Sequence, residues 1–325
     1  MTDNPVVETI NAVTGVVENV RSQIAKVVVG QNSVVEQIIT ALLADGHVLL
    51  EGVPGVAKTL LVRALAHTIG AEFKRIQFTP DLMPSDVIGT NVYDASTSEF
   101  NLKEGPVFTN VLLADEINRT PPKTQAALLE AMEERRVTID GTSHPLPELF
   151  IVLATQNPIE YEGTYPLPEA QLDRFLVKIL VDYPTEAEER QVLANYNQGF
   201  RPLRLDDAGV ERIAGETDLA NCRKAVAQVR VDEGIVDYIG QIVRRTRQDR
   251  SLILGASPRA SIALLLTSKA LASINGRDYV IPDDVKQLAA PALRHRLLLR
   301  PEAEIEGSTP DKVIARILNT VEVPR

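Results

Sequence analysis

The sequence predicts an α/β protein in two parts: a five-stranded parallel sheet between helices over residues 1–184, then an all-helical part over residues 185–325. Three observations predict it. Short apolar runs that read as buried strands alternate with helical patterns through the first part. Residues 49–68, LLEGVPGVAKTLLVRALAHT, read as a buried strand, a Gly-Pro-Gly turn and a helix in immediate succession. Beyond Tyr183-Pro184 only helical spacing remains.

The 49–68 stretch reads as a phosphate-binding loop. The pattern is Gly-x4-Gly-Lys-[Ser/Thr], in which backbone N–H groups and a helix N-terminus cradle phosphates, Lys reaches the β/γ oxygens and the hydroxyl meets Mg²⁺. Gly52, Lys58 and Thr59 fit, while Ala57 stands where the second glycine belongs. One added methyl is tolerated if Ala57 has helical dihedrals. The alternative is an ordinary glycine turn that precedes a lysine.

Composition narrows the class. At 325 residues with 44% hydrophobic and 24% charged residues, the chain has the make-up of a soluble globular protein of two domains. There is no 18-residue uncharged apolar run, and Met1-Thr2-Asp3-Asn4 lacks the basic start of a signal peptide, so the expected location is the cytoplasm without membrane insertion. The single Cys222 excludes an internal disulfide and agrees with a reducing compartment. A net charge of −10 and the absence of Trp argue against nucleic acid as the main partner.

In chain order, Val6, Ile10, Val13, Val17, Val20, Ile24 and Val27 alternate steps of three and four, which predicts one amphipathic helix over 5–27. Val28-Val29-Gly30-Gln31 breaks the pattern, and a second helix over 33–44 follows, with Asn32 or Ser33 as cap and Gly46 as stop. The break is either a plain inter-helix loop or a source of contacts to an adenine ring. After the phosphate loop comes a strand over 74–78, then a helix with a hairpin built on Val92-Tyr93 and Phe100-Leu102. Asp86-Val87-Ile88-Gly89 matches the Asp-x-x-Gly of GTPases, but no guanine-reading Asn-Lys-x-Asp accompanies it.

The second chemical signal is Val111-Leu112-Leu113-Ala114-Asp115-Glu116. Four apolar residues make a buried parallel strand, and two acids emerge at its C-terminal end, where open α/β sheets bind ligands. Asp115 is suited to hold Mg²⁺ and Glu116 to polarise water for attack on a γ-phosphate. Thr120-Pro121-Pro122 reads as a helix start with Thr120 as cap, the helix running over 124–135, and residues 136–139 and 144–147 form a second hairpin. A fourth strand over 149–155 ends at Gln156-Asn157-Pro158, where Asn157 is either a turn residue or an amide facing phosphate and water. A fifth strand over 176–181 follows Arg174, which is either a surface ion-pair partner or a charge projected into a neighbouring subunit.

Thr185-Glu186-Ala187-Glu188 is a capping box that opens the helical part. Helices are expected near 186–197, 232–247, 257–274 and 282–299, with Pro291 kinking or splitting the last. Arg259 falls in the first turn of the third, where its charge opposes the macrodipole unless an anion lies near. It is therefore a phosphate contact or a solvated side chain. His67, His144 and His295 look structural or exposed.

These motifs together resemble the AAA+ ATPases and, within them, the MoxR family: GVPGVAKT, VLLADEINR, LLEAMEERRVT, ATQNP, YPLPEAQLDRF and GASPRA all look like that family's. The resemblance implies a five-stranded αβα nucleotide domain, a helical lid, ATP with Mg²⁺ at their junction, and a ring, usually a hexamer, whose sites are shared between subunits. It makes Gly52, Val53, Pro54, Gly55, Val56, Ala57, Lys58, Thr59 and Leu60 the phosphate loop, with Val29, Gly30 and Gln31 beside the base. Thr59 and Asp115 become the metal-holding residues, Glu116 the catalytic acid, and Asn157 sensor 1. Arg174 becomes a trans-acting finger and Arg259 sensor 2. Gln77 stands where a switch residue would couple Glu116 to the ring. Residues 90–104 and 136–147 become pore-facing hairpins, and the implied role is chaperone-like remodelling of client proteins, with a von Willebrand factor A domain protein as partner. A DNA-translocating motor of the same helix-2-insert branch is the alternative.

Overall fold

The structure of the protein, a computed structural model, describes residues 5–157, 163–202 and 204–324. The predicted amphipathic spacing makes helix α1 (Pro5–Ala25), which buries Ile10, Val13, Val17, Val20 and Ile24. It ends two residues short of Val27, which stays buried in the connecting loop. Helix α2 (Asn32–Leu43) follows two left-handed residues, Gly30 at φ 69° and Gln31 at φ 59°. Gln31 therefore takes the cap position expected of Asn32 or Ser33, and no side chain caps the helix. Gly46 does not provide the stop either: Asp45, at φ 55°, makes the left-handed turn. Gly46 serves close packing instead, because a Cβ there would lie 2.4 Å from Leu176.

Strand β1 (Val48–Gly52) leads through the phosphate loop to α3 (Lys58–Thr68), then β2 (Phe73–Gln77) and α4 (Pro84–Ile88). The expected hairpin is β3 (Gly89–Asp94) and β4 (Glu99–Glu104), where Tyr93 opposes Phe100 with ring centroids 5.3 Å apart. Strand β5 (Val111–Asp115) precedes α5 (Pro122–Glu134), and β6 (Arg136–Ile139) pairs with β7 (Thr142–Pro145) as the second hairpin. Pro121 caps α5; the expected cap, Thr120, is buried and its hydroxyl donates to Thr79 O at 3.2 Å, which holds the loop after β2 instead. Strand β8 (Ile151–Gln156), the short α6 (Glu169–Leu172) and β9 (Val177–Val181) complete this part.

The five strands form one parallel sheet in the order β2-β5-β8-β1-β9. A parallel sheet with apolar side chains on both faces buries them only when both faces are covered, and alternate residues serve the two faces. Val48, Leu50, Leu113 and Leu153 pack with α1, α2 and α3, while Leu49, Leu112, Ala114 and Val152 pack with Leu128, Leu129 and Met132 of α5. His47 pins the second face: its Nδ1 accepts from Val152 N at 3.0 Å, so Nε2–H donates to Met132 O at 3.1 Å.

The Thr185 capping box forms as expected and opens α7 (Glu186–Asn197). Then follow α8 (Glu216–Ala227), α9 (Glu233–Thr246), β10 (Leu252–Leu254), α10 (Pro258–Ile274), α11 (Pro282–Leu293), β11 (Leu298–Leu299), α12 (Pro301–Ile305) and α13 (Pro310–Thr320). Two expectations fail here. The region is not purely helical, since β10 and β11 form a small antiparallel pair. The helix expected over 282–299 is shorter than that: it runs two residues past Pro291 to Leu293, and a 3₁₀ turn over 294–296 follows. Helix α8 was not foreseen: its buried residues, Leu219, Cys222, Ala225 and Val226, form a stripe too small and mixed to signal. Helix α1 packs against α8 and α10 as well as α3. Among the described residues no helix is long and apolar enough to cross a membrane.

Burial holds the His47 imidazole down to a pKa of about 3, and His295, buried against Arg296, likewise lies well below 6.5. Between about pH 3 and 6.5 the unfolded chain therefore binds protons that the folded chain refuses, so stability falls as pH drops below 6.5. Urea unfolding at pH 7.5 and pH 5.5 should show a loss on the order of 1 kcal/mol per buried histidine at the lower pH. An unchanged free energy would remove both histidines from this account.

Candidate functional site

The carboxyl ends of β1, β5 and β8 lie side by side, and the cleft above them has a volume of about 670 Å³. On one side β1 delivers the phosphate loop. Gly52 is required there, since a Cβ would lie 2.3 Å from Val181 O of β9. Gly55 at φ 87° and Ala57 at φ 59°, ψ 20° turn the chain before α3 begins at Lys58. Ala57 is thus left-handed, not helical as the methyl's tolerance was expected to require; the loop takes the glycine conformation and the side chain bears the strain. Lys58 Nζ donates to Gly52 O at 2.6 Å, across the loop's mouth. Partial burial lowers the pKa of this ammonium, against the pull of Asp115, Glu116 and Glu51.

Opposite stand the acids. Asp115 ends β5, and Glu116 follows in left-handed conformation at φ 57°, ψ 50°. Thr155 of β8 holds both: its hydroxyl donates to Asp115 Oδ1 at 2.5 Å and accepts from Glu116 N at 2.8 Å. The remaining oxygens belong to a chain of bonds along the strand ends. Arg75 Nη2 donates to Asp115 Oδ2 at 2.6 Å and to Gln77 Oε1 at 2.7 Å; Gln77 Nε2 donates to Glu116 Oε2 at 2.7 Å, and Arg119 pairs with the same oxygen at 3.0 Å. Gln77 therefore touches Glu116, as the switch assignment needs. Asn157, buried at the end of β8, lines the cleft; Pro158 lies outside the described residues.

The third wall is apolar. Val28, Val29 and Gln31 come from the α1–α2 loop, and Tyr183, Leu193, Tyr196 and Phe200 come from α7 and its flanks. Gln31 Nε2 donates to Asp182 O at 3.1 Å, tying the loop to the segment between β9 and α7. Gly30 does not line the cleft; it lies behind, where a Cβ would meet Glu188 Oε1 of the capping box at 2.1 Å. Val53 and Gly52 also sit behind, whereas Pro54 to Leu60 line it.

The strand ends and the loop between β1 and α3 that build the cleft lie within a range that a family model matches. Residues 47–177 match the model of the ATPase family associated with various cellular activities (AAA), and residues 244–317 match the AAA lid domain. Chaperone MoxR1 of Mycobacterium tuberculosis is 47% identical over 93% of this chain and 81% of its own. This chain belongs to the MoxR family of AAA+ ATPases. An uncharacterized protein of Bacillus subtilis, YeaC, is 52% identical over 93% of this chain and 92% of its own. The crystal structure of a putative ATPase from Cytophaga hutchinsonii shares the fold with a TM-score of 0.90, at 43% identity and 98% coverage of both chains.

In this MoxR-family chain Arg174, expected to serve a neighbouring subunit, and Arg259 lie away from this cleft. Both lie in a second, shallower cleft and pair with Glu133 of α5, at 2.9 Å and 2.5 Å. Glu133 supplies the anion that Arg259 was expected to need at the N-terminus of α10. Thr155, Arg75, Arg119, Glu133, Tyr196 and Phe200 were missed. Only the last two carried a signal, an i, i+4 aromatic pair at the end of a helix, and they meet edge to face at 5.6 Å.

Two substitutions test this geometry. Ala57→Gly should stabilise the nucleotide-free protein by about 0.5–1 kcal/mol and Ala57→Val should destabilise it, read by thermal melting. Thr155→Val leaves Asp115 and Glu116 N without a shared partner and should cost about 1–3 kcal/mol in urea titration, with a drop in ATP turnover.

Proposed function

We propose that the chain is a Mg²⁺-dependent ATPase that assembles into a hexameric ring and remodels client proteins, each site being completed by the next subunit. One observation carries the reading. Among the described residues that line the cleft Lys58 is the only Lys or Arg, while Arg174 and Arg259 sit together on another face. A transferring γ-phosphoryl group needs more positive charge than Lys58 supplies, and a neighbouring copy's arginine pair is the matching source.

In this mechanism the adenine lies against Val29, Tyr183, Leu193 and Tyr196, and the phosphates lie on residues 54–60. Helix α7 has no fully buried residue, and Tyr183 is 72% exposed, so a bound base would cover apolar surface left open. That contact joins nucleotide binding to the lid, whose boundary with the nucleotide domain we set at residue 184. Lys58 leaves Gly52 O for the β/γ oxygens, Glu116 orients and polarises the attacking water, and Asn157 contacts water and γ-phosphate. The Thr59 hydroxyl and Asp115 carboxylate are hard oxygen donors suited to Mg²⁺, which when bound neutralises β- and γ-phosphate oxygens. Gln77 relays the position of Glu116 to the ring.

Hydrolysis then moves the hairpins. Asn91 donates to Asp140 at 2.9 Å, so the two hairpins are joined, and Val92, Tyr93 and Phe100 stand exposed toward a client. The word chaperone in the mycobacterial relative's name supports this role. A protein with a von Willebrand factor A domain is the proposed partner, and the cytoplasm the proposed location. Exposed Glu99 and Glu104, with half-buried Asp94, on the first hairpin disfavour a DNA track.

ATPase activity measured against protein concentration, with particle mass in parallel, tests the ring. Activity per subunit should rise cooperatively with assembly, Arg174→Ala should lower kcat by about 10³-fold while sparing ATP binding, and Glu116→Gln should bind ATP without turning it over. Activity per subunit that is flat with concentration, or full turnover in either variant, overturns the shared-site reading.

A further inference from the structure

Arg174 and Arg259 come from distant parts of the chain and different elements: the turn between α6 and β9, and the first turn of α10. They converge on one carboxylate. Glu133 Oε2 takes Arg174 Nη2 at 2.9 Å, and Glu133 Oε1 takes Arg259 Nη2 at 2.5 Å. The supports beneath are fixed. Ser257, the cap of α10, donates to the carboxylate of Asp173, 2.9 Å from its nearer oxygen, and accepts from Arg259 N at 3.1 Å. Asp173 in turn takes buried Arg296 Nε at 2.7 Å. The backbones carrying both arginines are thereby joined, and among the described residues Glu133 alone pairs with both guanidinium groups.

The cleft around them, about 350 Å³ and open to solvent, is also lined by Asp45, Arg135, Asp173 and Arg296. Arg135 pairs with Asp45 and Arg296 with Asp173, so the two arginines left to Glu133 keep one positive charge in excess. Without the carboxylate, two like charges on long, flexible stems would face open solvent and separate.

We infer that Glu133 is a positioning residue for ATP hydrolysis: it gathers Arg174 and Arg259 into one two-armed anion clamp, oriented before the neighbouring subunit's terminal phosphate arrives. The inference rests on the shared-site reading above. A carboxylate presents two oxygens to two guanidinium groups much as a phosphate does, so the pair is held in the geometry its target needs, and ordering is complete before binding. Glu133 acts through the arginines and touches no nucleotide itself.

The test is single-turnover ATP hydrolysis by the assembled protein, with particle mass and fluorescent-ATP binding followed on the same samples. Glu133→Ala should lower the rate of the chemical step about 10-fold, with assembly and ATP affinity kept within twofold. Glu133→Gln, isosteric and able to accept from only one arginine, should fall about threefold and covers the case in which the alanine variant does not fold. In an Arg174→Ala background Glu133→Ala should cost clearly less than in the wild type, because only the Arg259 arm remains to be oriented. Wild-type or faster chemistry in Glu133→Ala, or an undiminished loss in the Arg174→Ala background, overturns the inference. The underlying reading fails separately: if Arg174→Ala alone keeps full turnover, the trans-acting arginine is wrong whatever Glu133 does.

Discussion

Everything at the site depends on the parallel registration of β1, β8 and β5. Leu49 pairs with Ala154, and Ala114 pairs with the same residue from the other side. The three strand ends therefore fall within two residues of one another, and the groups at and just beyond them, the phosphate loop, Asn157 and the acid pair, meet in one crevice. Both faces of such a sheet are covered, so the continuous apolar runs of its strands and the helices that cover them follow from the same constraint.

Two residues at these strand ends carry backbone strain, Ala57 and Glu116, both left-handed without being glycine. Such conformations persist where the surroundings over-determine them. At Glu116 the determinants are visible: Thr155 takes its N–H, and Gln77 and Arg119 take its carboxylate. At Ala57 they are the start of α3 immediately afterwards and the demand that the loop's N–H groups point inward. Strain thus accumulates at the phosphate loop and at the acid suited to activate water.

Helix α5 links this site to the arginine pair. It begins shortly after Glu116 and carries Glu133 near its C-terminal end, so one rigid element about 20 Å long connects the acid of one cleft to the clamp proposed to serve the next. The lid is tied to the same region through Ser257, which bonds Asp173, and Gln31 bonds Asp182 just ahead of α7.

Much of this was legible in the linear chain. Gly52, Lys58, Thr59, Asp115, Glu116 and the strand order of chemistry follow from local patterns, because a phosphate loop and a buried strand ending in acids need only contiguous residues of the right type. The sheet's five strands and the capping box at Thr185 were legible for the same reason. Helix α8 was not, since its buried residues make a stripe too small and mixed to stand out, and neither was the β10–β11 pair, whose two short runs lie far apart in sequence. Contacts between distant residues leave no local trace. Thr155 beneath the acids, Arg75 on Asp115 and Glu133 between Arg174 and Arg259 each join elements that only folding brings together. The sequence by itself determined which chemistry the strand ends carry, because that depends on residue type and spacing along one segment. Only the tertiary structure decided that Arg174 and Arg259 meet at Glu133, because that depends on where a helix, a turn and a lid cross in space.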